Sequence, residues 1–265
     1  MTRRARENSL TGIYHVMLRG INRQEIFHDR DDYWKFIKIL YQQVNPKDMT
    51  GQPLPPRCDF YAYCLMPNHV HLLVKAGNEP LGNLIKSIGI AYAAYYNKRY
   101  VRVGHLFQDR FRSEPVNDIN YFITLIRYVH QNPVAGGLTK CVADYPWSSW
   151  LEYLSPERCQ MPVCTTSAVI KRFSLDELKE LVDEPLAKSA VVLEFDKEER
   201  DKLAEEDLRD FLTEFFGFSD PRAFKRLSDS QLEVILKIAH NHGFSIRRLA
   251  HFTGLTTHAI YKSIR

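Results

Sequence analysis

The residues best suited to chemistry are two histidines in the stretch CLMPNHVHLLV, at positions 64–74. Pro67-Asn68 predicts a turn, and the residues after it predict a strand. His69 and His71 would then project from the same face of that strand, about 6.6 Å apart along it. Two imidazoles at this spacing can bind a single cation. An isolated pair of this kind is more often a pair of hydrogen-bonded core histidines, so both interpretations stay open.

A second pair of polar residues lies on the predicted helix that contains IRYVHQNP, residues 126–133. Tyr128 and Asn132 are one helical turn apart and therefore share a face of the helix. The amide oxygen of Asn132 would complete a His-His-O site suited to Mg²⁺ or Mn²⁺. A tyrosine beside such a cation is suited to attack phosphorus. Tyr128 is also one of 14 tyrosines, so a plain role in core packing stays open.

The elements that must position these residues alternate between strand-like and helix-like periods. The strands are expected to form one sheet with helices packed on one face, an α+β sandwich of the split βαβ type. The last helix is expected to end near Asn132, because Pro133 follows it. The predicted order is a strand at 11–20, a helix at 29–44, a hairpin of strands at 58–66 and 69–76, a helix at 80–98, a short strand within 101–117 and a helix at 118–132.

The composition indicates a folded protein with a sizeable core, since 45% of the 265 residues are hydrophobic and 12% are aromatic. No apolar run approaches the ~20 residues needed to span a bilayer, so no membrane partner is expected. The basic N-terminus, MTRRARENSL, has no apolar segment behind it, which predicts that no secretory signal is present. The five cysteines form an odd set without regular spacing, which favours a reduced, cytoplasmic protein.

Charge is distributed unevenly along the chain. Residues 1–155 contain 19 Lys and Arg against 13 Asp and Glu, residues 156–210 contain 9 against 15, and residues 211–265 contain 8 against 4. Two basic blocks separated by an acidic one suit two surfaces for a polyanion, although ordinary surface charge would look similar. We therefore predict a catalytic domain at 1–155, an acidic helical connector at 156–210 and a C-terminal helical domain at 211–265.

Four stretches of the first block carry a family resemblance. They are YHVMLRGINRQEIF (14–27), AYCLMPNHVHLLV (62–74), GHLFQDRFRS (104–113) and LIRYVHQNPVAGGL (125–138). In order and spacing they resemble the HUH single-tyrosine transposases of insertion sequences, and most of all the branch called REP-associated tyrosine transposases. The resemblance covers roughly residues 8–153.

This resemblance implies a ferredoxin-like HUH nuclease domain with an antiparallel-type sheet and helices. It implies that His69 and His71 are ligands of a divalent metal, Mg²⁺ or Mn²⁺. It also implies that Tyr128 is the nucleophile and that Asn132 supplies the third ligand.

The chain departs from the family pattern at four positions. Gln131 thereby becomes a rival third ligand, although it lies about 100° around the helix from Asn132. None of the changes removes a catalytic group, so a competent active site is expected. The four positions are Phe107, Asp109, His130 and Gln131.

The activity implied by the resemblance is transesterification on single-stranded DNA. Tyr128 would attack a phosphodiester to give a 5′-phosphotyrosine and a free 3′-OH, and a second 3′-OH would reverse the step and join strands. Bond energy is conserved, so no ATP is needed, in keeping with the absence of a GxxxxGK[ST] loop from the sequence. In the family the recognised DNA is the hairpin of a palindromic repeat. Insertion-sequence relatives act as dimers and the REP-associated branch as monomers, so a monomer or a homodimer is expected.

Basic and aromatic residues beside these motifs are candidates for contacts with DNA. Guanidinium groups suit phosphates and guanine edges, and phenylalanine can stack on an unpaired base. The alternative is that these arginines are solvated, or paired with Asp29, Asp31 and Asp32. The candidates are Arg19, Asn22, Arg23, Phe107, Arg110 and Arg112.

The C-terminal segment, residues 228–265, suggests a helix-turn-helix that binds duplex DNA. Gly254 allows a tight turn, and Ala250 is a small residue where two helices would approach each other. A three-helix packing module is the alternative. The candidate contact residues are Arg247, Arg248, Thr257 and Lys262.

Two other functions compete with that of a transposase. One is a domesticated repeat-DNA-binding protein or regulator with little or no turnover, and the other is a rolling-circle replication initiator or relaxase. The presence of His69, His71 and Tyr128 favours the enzyme over the binding protein. A bacterial cytoplasmic, nucleoid-associated location is expected.

Overall fold

The computed structural model describes residues 7–108, 110–184, 208–214, 216–217, 224, 227–241, 244 and 246–264. The chain divides into two compact units, residues 1–193 and residues 194–265. No helix within the described ranges has both the length and the apolar character needed to cross a bilayer.

A four-stranded sheet forms the centre of the first unit, with the strand order β2-β3-β1-β4 and antiparallel pairing throughout. The hairpin predicted at 58–66 and 69–76 is present with those bounds. Its turn is formed by Pro67 and Asn68. The strands are β1 (Ile13–Arg19), β2 (Cys58–Met66), β3 (His69–Ala76) and β4 (Arg112–Pro115).

Two helices cover one face of this sheet, α1 (Arg30–Val44) and α2 (Leu81–Arg99). Helix α1 begins after Asp29, whose carboxylate accepts two backbone N–H groups of the first turn. Both helices pack in one apolar cluster with alternate residues of the strands, such as Val16 and Leu72. The order βαββαβ, with both helices on the same face, is ferredoxin-like. The predicted α+β architecture is therefore confirmed.

Helix α3 (Ile119–Ala135) packs against the opposite face of the sheet, so the expectation that all helices lie on one face was wrong. That face is not a solvated surface, because it carries Ala62, Cys64 and Leu73, each fully buried. An apolar sheet face needs a cover, and α3 provides it with Leu125 and its apolar neighbours.

The expected end of this helix near Asn132 was also wrong, because the helix continues through Pro133 to Ala135. Pro133 has no N–H to donate to the carbonyl four residues earlier, so the helix loses one hydrogen bond there and continues for only two more residues. The Gly136 N–H donates to the Asn132 carbonyl (2.8 Å) and closes the helix.

Strand β2 lies at one edge of the sheet, and residues 147–165 cover that edge. The Leu65 N–H donates to the Trp147 carbonyl (2.9 Å), and the Thr165 N–H donates to the Phe60 carbonyl (2.8 Å). The backbone groups of this edge strand therefore find partners later in the chain. Short helices complete this region: α4 (Trp150–Leu154), α5 (Thr166–Ile170) and α6 (Leu175–Asp183).

Helix α6 packs on α3, although its sequence was assigned to the acidic connector at 156–210. Leu178 and Val182 are buried in the same cluster as Leu125. The first compact unit thus continues past residue 155. The rest of the predicted connector, residues 185–207, lies outside the described residues.

A buried carboxylate ties α1 to α2. Asp32 is fully buried and accepts hydrogen bonds from the His28 N–H (2.9 Å), the Tyr95 hydroxyl (3.0 Å), the Tyr100 hydroxyl (2.7 Å) and the Arg99 guanidinium (2.8 Å). Burial alone would raise the pKa of Asp32, but these donors outweigh it and hold the pKa below the ordinary value of 3.8.

We expect Asp32→Asn to lower the free energy of unfolding by about 2–3 kcal/mol, because it removes the charge and turns an amide N–H toward hydrogen-bond donors. The contribution of the carboxylate is present above its unfolded-state pKa and is lost as pH falls through the lower pKa of the folded state. The difference between the wild type and the variant should therefore shrink in acid. Urea unfolding at several pH values measures it. As control, Asp31→Asn, at an exposed carboxylate also near Arg99, should change stability by less than about 0.5 kcal/mol.

The second unit is helical in its described residues. Residues 208–214 are helical, and they share an apolar cluster with three further helices through buried residues such as Leu212, Leu236 and Ile260. Gly254 has a φ of 73°, a left-handed conformation that allows the tight turn between the last two helices. The helices are α7 (Asp229–Asn241), α8 (Ile246–Thr253) and α9 (Thr257–Ile264).

Candidate active site

The two histidines of β3 lie on the sheet face that α3 covers. Val70, Leu72 and Val74 between and after them belong to the cluster on the other face. The ring centroids of His69 and His71 are 4.9 Å apart. His71 is only 1% exposed, whereas His69 is half-buried. The strand therefore presents two imidazoles side by side, one inside the core and one at its margin.

The strand register brings two cationic residues to the same face. Arg19 of β1 lies opposite His69, and Met17 lies opposite His71. On its other side Met17 is paired with Arg112 of β4. Directly opposed residues in antiparallel strands share a face. Arg19 and Arg112 therefore flank the histidine pair on the α3 side of the sheet.

Helix α3 brings Tyr128 to these histidines. The ring of Tyr128 lies 5.3 Å from the ring of His71, centroid to centroid, and meets it edge-on at 87°. Asn132 follows one turn later, and its side-chain N–H donates to the Tyr128 carbonyl (2.7 Å). This bond engages the amide N–H group of Asn132, and the amide oxygen is the atom of this side chain that could bind a metal.

Gln131, the rival third ligand, is engaged elsewhere. Its side-chain N–H group donates to the carbonyls of Val182 (2.6 Å) and Glu184 (2.5 Å). The neighbouring Arg127 donates to the same Glu184 carbonyl (2.7 Å). Gln131 and Arg127 therefore hold the end of α6 against α3, and this favours Asn132 as the third ligand.

A third histidine lies in the cluster, and sequence reasoning missed it. His15 of β1 is fully buried, and its Nε2 is 3.1 Å from Nδ1 of His71. Its ring stacks on that of His71 with centroids 5.3 Å apart, and it meets the ring of Tyr128 edge-on at 5.7 Å. A polar residue at an inward-facing position of the first strand was the available indication. Which residue His15 contacts depends on the register between β1 and β3, and the spacing of residues within one strand does not specify that register.

Burial favours the neutral forms of His15 and His71 by lowering the pKa of each ring. It lowers the pKa of His15 to about 3. It also holds the pKa of His71 well below 6.5, with smaller contributions from His69 and His15. A neutral imidazole carries one ring nitrogen with a lone pair, which is the form that binds a metal.

The set fits a divalent metal through two imidazoles and one amide oxygen, His69, His71 and Asn132. Within the described part of the chain, no group of three or more His, Cys, Asp or Glu is arranged to hold a metal ion. The set of His69, His71 and Asn132 is not such a group, because only two of its three members are His, Cys, Asp or Glu. The third histidine, His15, hydrogen-bonds to His71, which is a member of this set. The chemistry of the donors therefore agrees with the Mg²⁺ or Mn²⁺ expected from the sequence.

His130, one of the departures from the family pattern, has a structural role. Its Nδ1–H donates to the Ile126 carbonyl (2.8 Å), and its Nε2 contacts the Ser149 hydroxyl (2.8 Å). That hydroxyl in turn accepts the backbone N–H of Tyr63 on β2 (2.9 Å). The chain of bonds anchors α3, and with it Tyr128, to the sheet.

The loop after β1 gathers several of the candidates for DNA contact at one end of the sheet. Residues 104–108 run beside it, with the Ile21 N–H donating to the Leu106 carbonyl (2.9 Å) and the Gln108 N–H donating to the Arg19 carbonyl (2.9 Å). Asn22 and Arg23 are exposed and have φ values of 51° and 57°. Left-handed backbone at two consecutive residues other than glycine is costly and is concentrated at functional sites.

The remaining candidates differ in accessibility. Arg110 is exposed, whereas Phe107 is half-buried and packs over Gly89 and Tyr92. Much of the Phe107 ring therefore serves the core, which leaves less of it to stack on a base. Asp109 lies outside the described residues.

In the second unit, Thr257 and Lys262 are exposed on α9. Thr256, His258 and Tyr261 are also exposed, so the start and outer face of this helix are polar apart from the tyrosine ring. The side chains of Arg247 and Arg248 lie outside the described part of the chain.

The family model for IS200-like transposases matches residues 9–132, which include the three histidines, Tyr128 and Asn132. Residues 9–132, a little under half of the chain, are therefore similar to the IS200-like transposases. The resemblance noted from the four sequence stretches is therefore confirmed.

The chain is also similar to individual proteins. A curated REP-associated tyrosine transposase candidate of Haemophilus influenzae is 27% identical over a 112-residue alignment that covers 35% of this chain and 62% of that protein. The match thus spans less than two thirds of the length of the relative. A solved structure of a REP-associated tyrosine transposase bound to a REP hairpin has 15% sequence identity and a TM-score of 0.47, covering 61% of this chain and 90% of the other.

Proposed function

We propose that this protein is a metal-dependent single-stranded DNA endonuclease and strand transferase that acts on hairpin DNA of palindromic repeats. The family match of residues 9–132 supports a transposase. The observation that carries the proposal is the edge-on contact between the rings of Tyr128 and His71 at 5.3 Å, because it puts a tyrosine beside a metal-ligating type of side chain.

In this proposal His69, His71 and Asn132 hold Mg²⁺ or Mn²⁺. When bound, the metal supplies positive charge that polarises the scissile phosphate and offsets the charge developing in transfer. The chain's own residues do the rest. Helix α3 aims Tyr128, and Arg19 and Arg112 on the same sheet face bind the flanking phosphates through their guanidinium groups.

The covalent step is balanced without a further reactant. The phenolic oxygen of Tyr128 forms a bond to phosphorus as the bond from phosphorus to the 3′ oxygen breaks. The phenolic proton is lost, and the departing oxygen gains a proton to become a free 3′-OH. Attack by a second 3′-OH on the resulting 5′-phosphotyrosine restores the tyrosine and joins two strands, so the number of phosphodiester bonds is conserved.

DNA recognition in this proposal lies with the loop at Asn22 and Arg23, together with Arg110. These residues are exposed at the end of the sheet where His69 begins β3. Phe107 is retained as a contact only through its exposed edge. Hairpin DNA is proposed as the partner because the relatives are REP-associated and one solved relative is bound to a REP hairpin.

A covalent adduct assay tests the proposal. The protein is incubated with Mg²⁺ or Mn²⁺ and labelled hairpin oligonucleotides taken from repeats flanking its own gene. A labelled band at protein size on a denaturing gel, absent with EDTA, is the expected result. Hairpin binding with no adduct under any metal would instead indicate a domesticated repeat-DNA-binding protein. We propose a monomer or homodimer, and sedimentation of the assayed sample distinguishes these states.

We further propose that the second unit is a helix-turn-helix domain that binds duplex DNA. The short turn at Gly254 between α8 and α9 and the exposed polar residues of α9 support this role. Thr257 and Lys262 would face the groove, and Arg247 and Arg248 are proposed to lie near the phosphates.

We expect Lys262→Ala to weaken duplex binding and to reduce the slope of log K against log salt by about 1, because one phosphate contact is lost. Fluorescence anisotropy over a salt series measures both quantities. Lys237→Ala on α7 is the matched control, since Lys237 is paired with Glu233 (3.0 Å) on another helix of the same unit. Equal affinities and slopes for wild type and Lys262→Ala would show that α9 is not the DNA-binding surface.

A further inference from the structure

A buried polar atom in the histidine cluster has no partner among the described residues. Nδ1 of His15 lies inside the core and accepts or donates no hydrogen bond there. Such an atom costs stability, and an apolar side chain would fill the same position without that cost. Packing alone therefore does not explain a histidine at this position.

We propose that His15 is a positioning residue for the metal site: its Nε2 accepts the Nδ1 proton of His71, so that Nε2 of His71 keeps the lone pair that binds the metal. This inference rests on the proposed function, because the metal is proposed there. It adds a residue and a role to the site that the pattern of His69, His71 and Asn132 does not contain.

His69, the other proposed histidine ligand, shows how such positioning works. The carbonyl of Arg23 can only accept, so the side-chain N–H group of Asn68, 3.3 Å away, must face it. The Asn68 oxygen then faces Nδ1 of His69 at 2.6 Å, and this ring nitrogen must be the donor. His69 therefore has its proton on Nδ1 and its lone pair on Nε2. This bond also connects a ligand ring to the exposed loop at Asn22 and Arg23.

For His71 the same logic applies to its contact with His15. Nδ1 of His71 is used in the 3.1 Å contact with Nε2 of His15, so only Nε2 of His71 can reach a metal. A neutral imidazole has a single N–H, and a proton on Nε2 would block the metal. The useful arrangement is the one in which His71 donates and His15 accepts.

Hydrogen bonding alone does not choose between the two arrangements of protons. If His15 donates instead, its Nδ1 is still unpaired among the described residues, so neither arrangement satisfies more groups. We assign the proton to Nδ1 of His71 because only that arrangement leaves Nε2 of His71 with the lone pair that a metal needs. Ligand histidines of metal sites commonly donate their second N–H to such a partner.

The test uses the 265-residue chain and two variants, His15→Phe and His15→Gln. Phenylalanine keeps a flat ring of similar size and removes the acceptor, whereas the glutamine side-chain oxygen can accept from His71. In metal-free protein, ¹⁵N NMR of the ring nitrogens reports the tautomer of His71. Calorimetry then measures Mn²⁺ affinity, and thermal unfolding checks the fold.

We expect wild type and His15→Gln to hold His71 with its proton on Nδ1, and His15→Phe to shift it toward Nε2. His15→Phe should bind Mn²⁺ about 10- to 100-fold more weakly, and His15→Gln should recover most of that loss. An Asn68→Ala variant should show a comparable loss through His69.

Unchanged Mn²⁺ affinity in folded His15→Phe would overturn the inference, and so would a wild-type His71 protonated on Nε2. If His15→Phe does not fold, the inference is still tested by the tautomer of His71 in the wild type and by the Mn²⁺ affinity of His15→Gln. Wild type that binds Mn²⁺ with the expected tautomer but forms no DNA adduct would refute the proposed catalysis and leave the role of His15 standing. Absence of any Mn²⁺ binding would refute both.

Discussion

Tyr128→Phe should form no covalent adduct with hairpin DNA and should bind the same DNA with an affinity within about 2-fold of wild type. The substitution removes only the hydroxyl group, whose oxygen is the one atom of the side chain able to form a bond to phosphorus. The ring itself stays between His71, His15 and the rest of α3, so the packing of the site is kept. A denaturing gel for the adduct and a filter-binding assay for affinity give the two numbers.

Tyr121→Phe is the matched control for this result. Tyr121 lies on the same helix two turns earlier, and its hydroxyl group donates to Glu114 (2.5 Å) on β4. We expect this variant to form the adduct at close to the wild-type rate. An adduct with Tyr128→Phe, lost in Tyr121→Phe, would move the nucleophile to Tyr121.

His69→Ala and His71→Ala should both abolish the adduct, since each removes one of the proposed ligands, but they should differ in stability. His69 is half-buried, and its removal should change the free energy of unfolding by less than about 1 kcal/mol. His71 is 1% exposed and is the partner of His15. Its removal leaves a cavity and a second unpaired nitrogen on His15, at a cost of about 2–4 kcal/mol.

The measurements are adduct yield, Mn²⁺ affinity and urea unfolding for each variant. EDTA treatment of the wild type should give the same loss of adduct, and added Mg²⁺ or Mn²⁺ should restore it. His28→Ala, which changes a histidine near α2 that bonds to Tyr96 (2.7 Å), should form the adduct normally. Adduct formation by folded His69→Ala in the presence of EDTA would show that the reaction needs no metal.

Features governed by local spacing could be predicted from the sequence. The hairpin at 58–66 and 69–76 follows from a Pro-Asn turn between two apolar runs, and the start of α1 follows from Asp29 ahead of a helical period. The placement of His69 and His71 on one sheet face needs only the two-residue period of a strand. Tyr128 and Asn132 share a helix face for a similarly local reason.

Features that depend on distant parts of the chain could not be predicted. His15 meets His71 because β1 pairs with β3 in a particular register, and no spacing within β1 encodes that register. The choice between Asn132 and Gln131 depends on where α6 ends, more than 50 residues later along the chain. The side of the sheet covered by α3 depends on the apolar residues of β2 and β3 that face it.

The cover over the edge of β2 sets a practical limit on how small a soluble fragment of the first unit can be. The family match ends at residue 132, yet the carbonyl that pairs with Leu65 belongs to Trp147 and the hydroxyl that anchors His130 belongs to Ser149. A fragment cut at the end of the match would expose an unpaired edge strand, to which other copies could add. Insolubility of this fragment would then reflect the loss of the residues that cover β2. A fragment that continues through α6 is the smallest one expected to stay soluble.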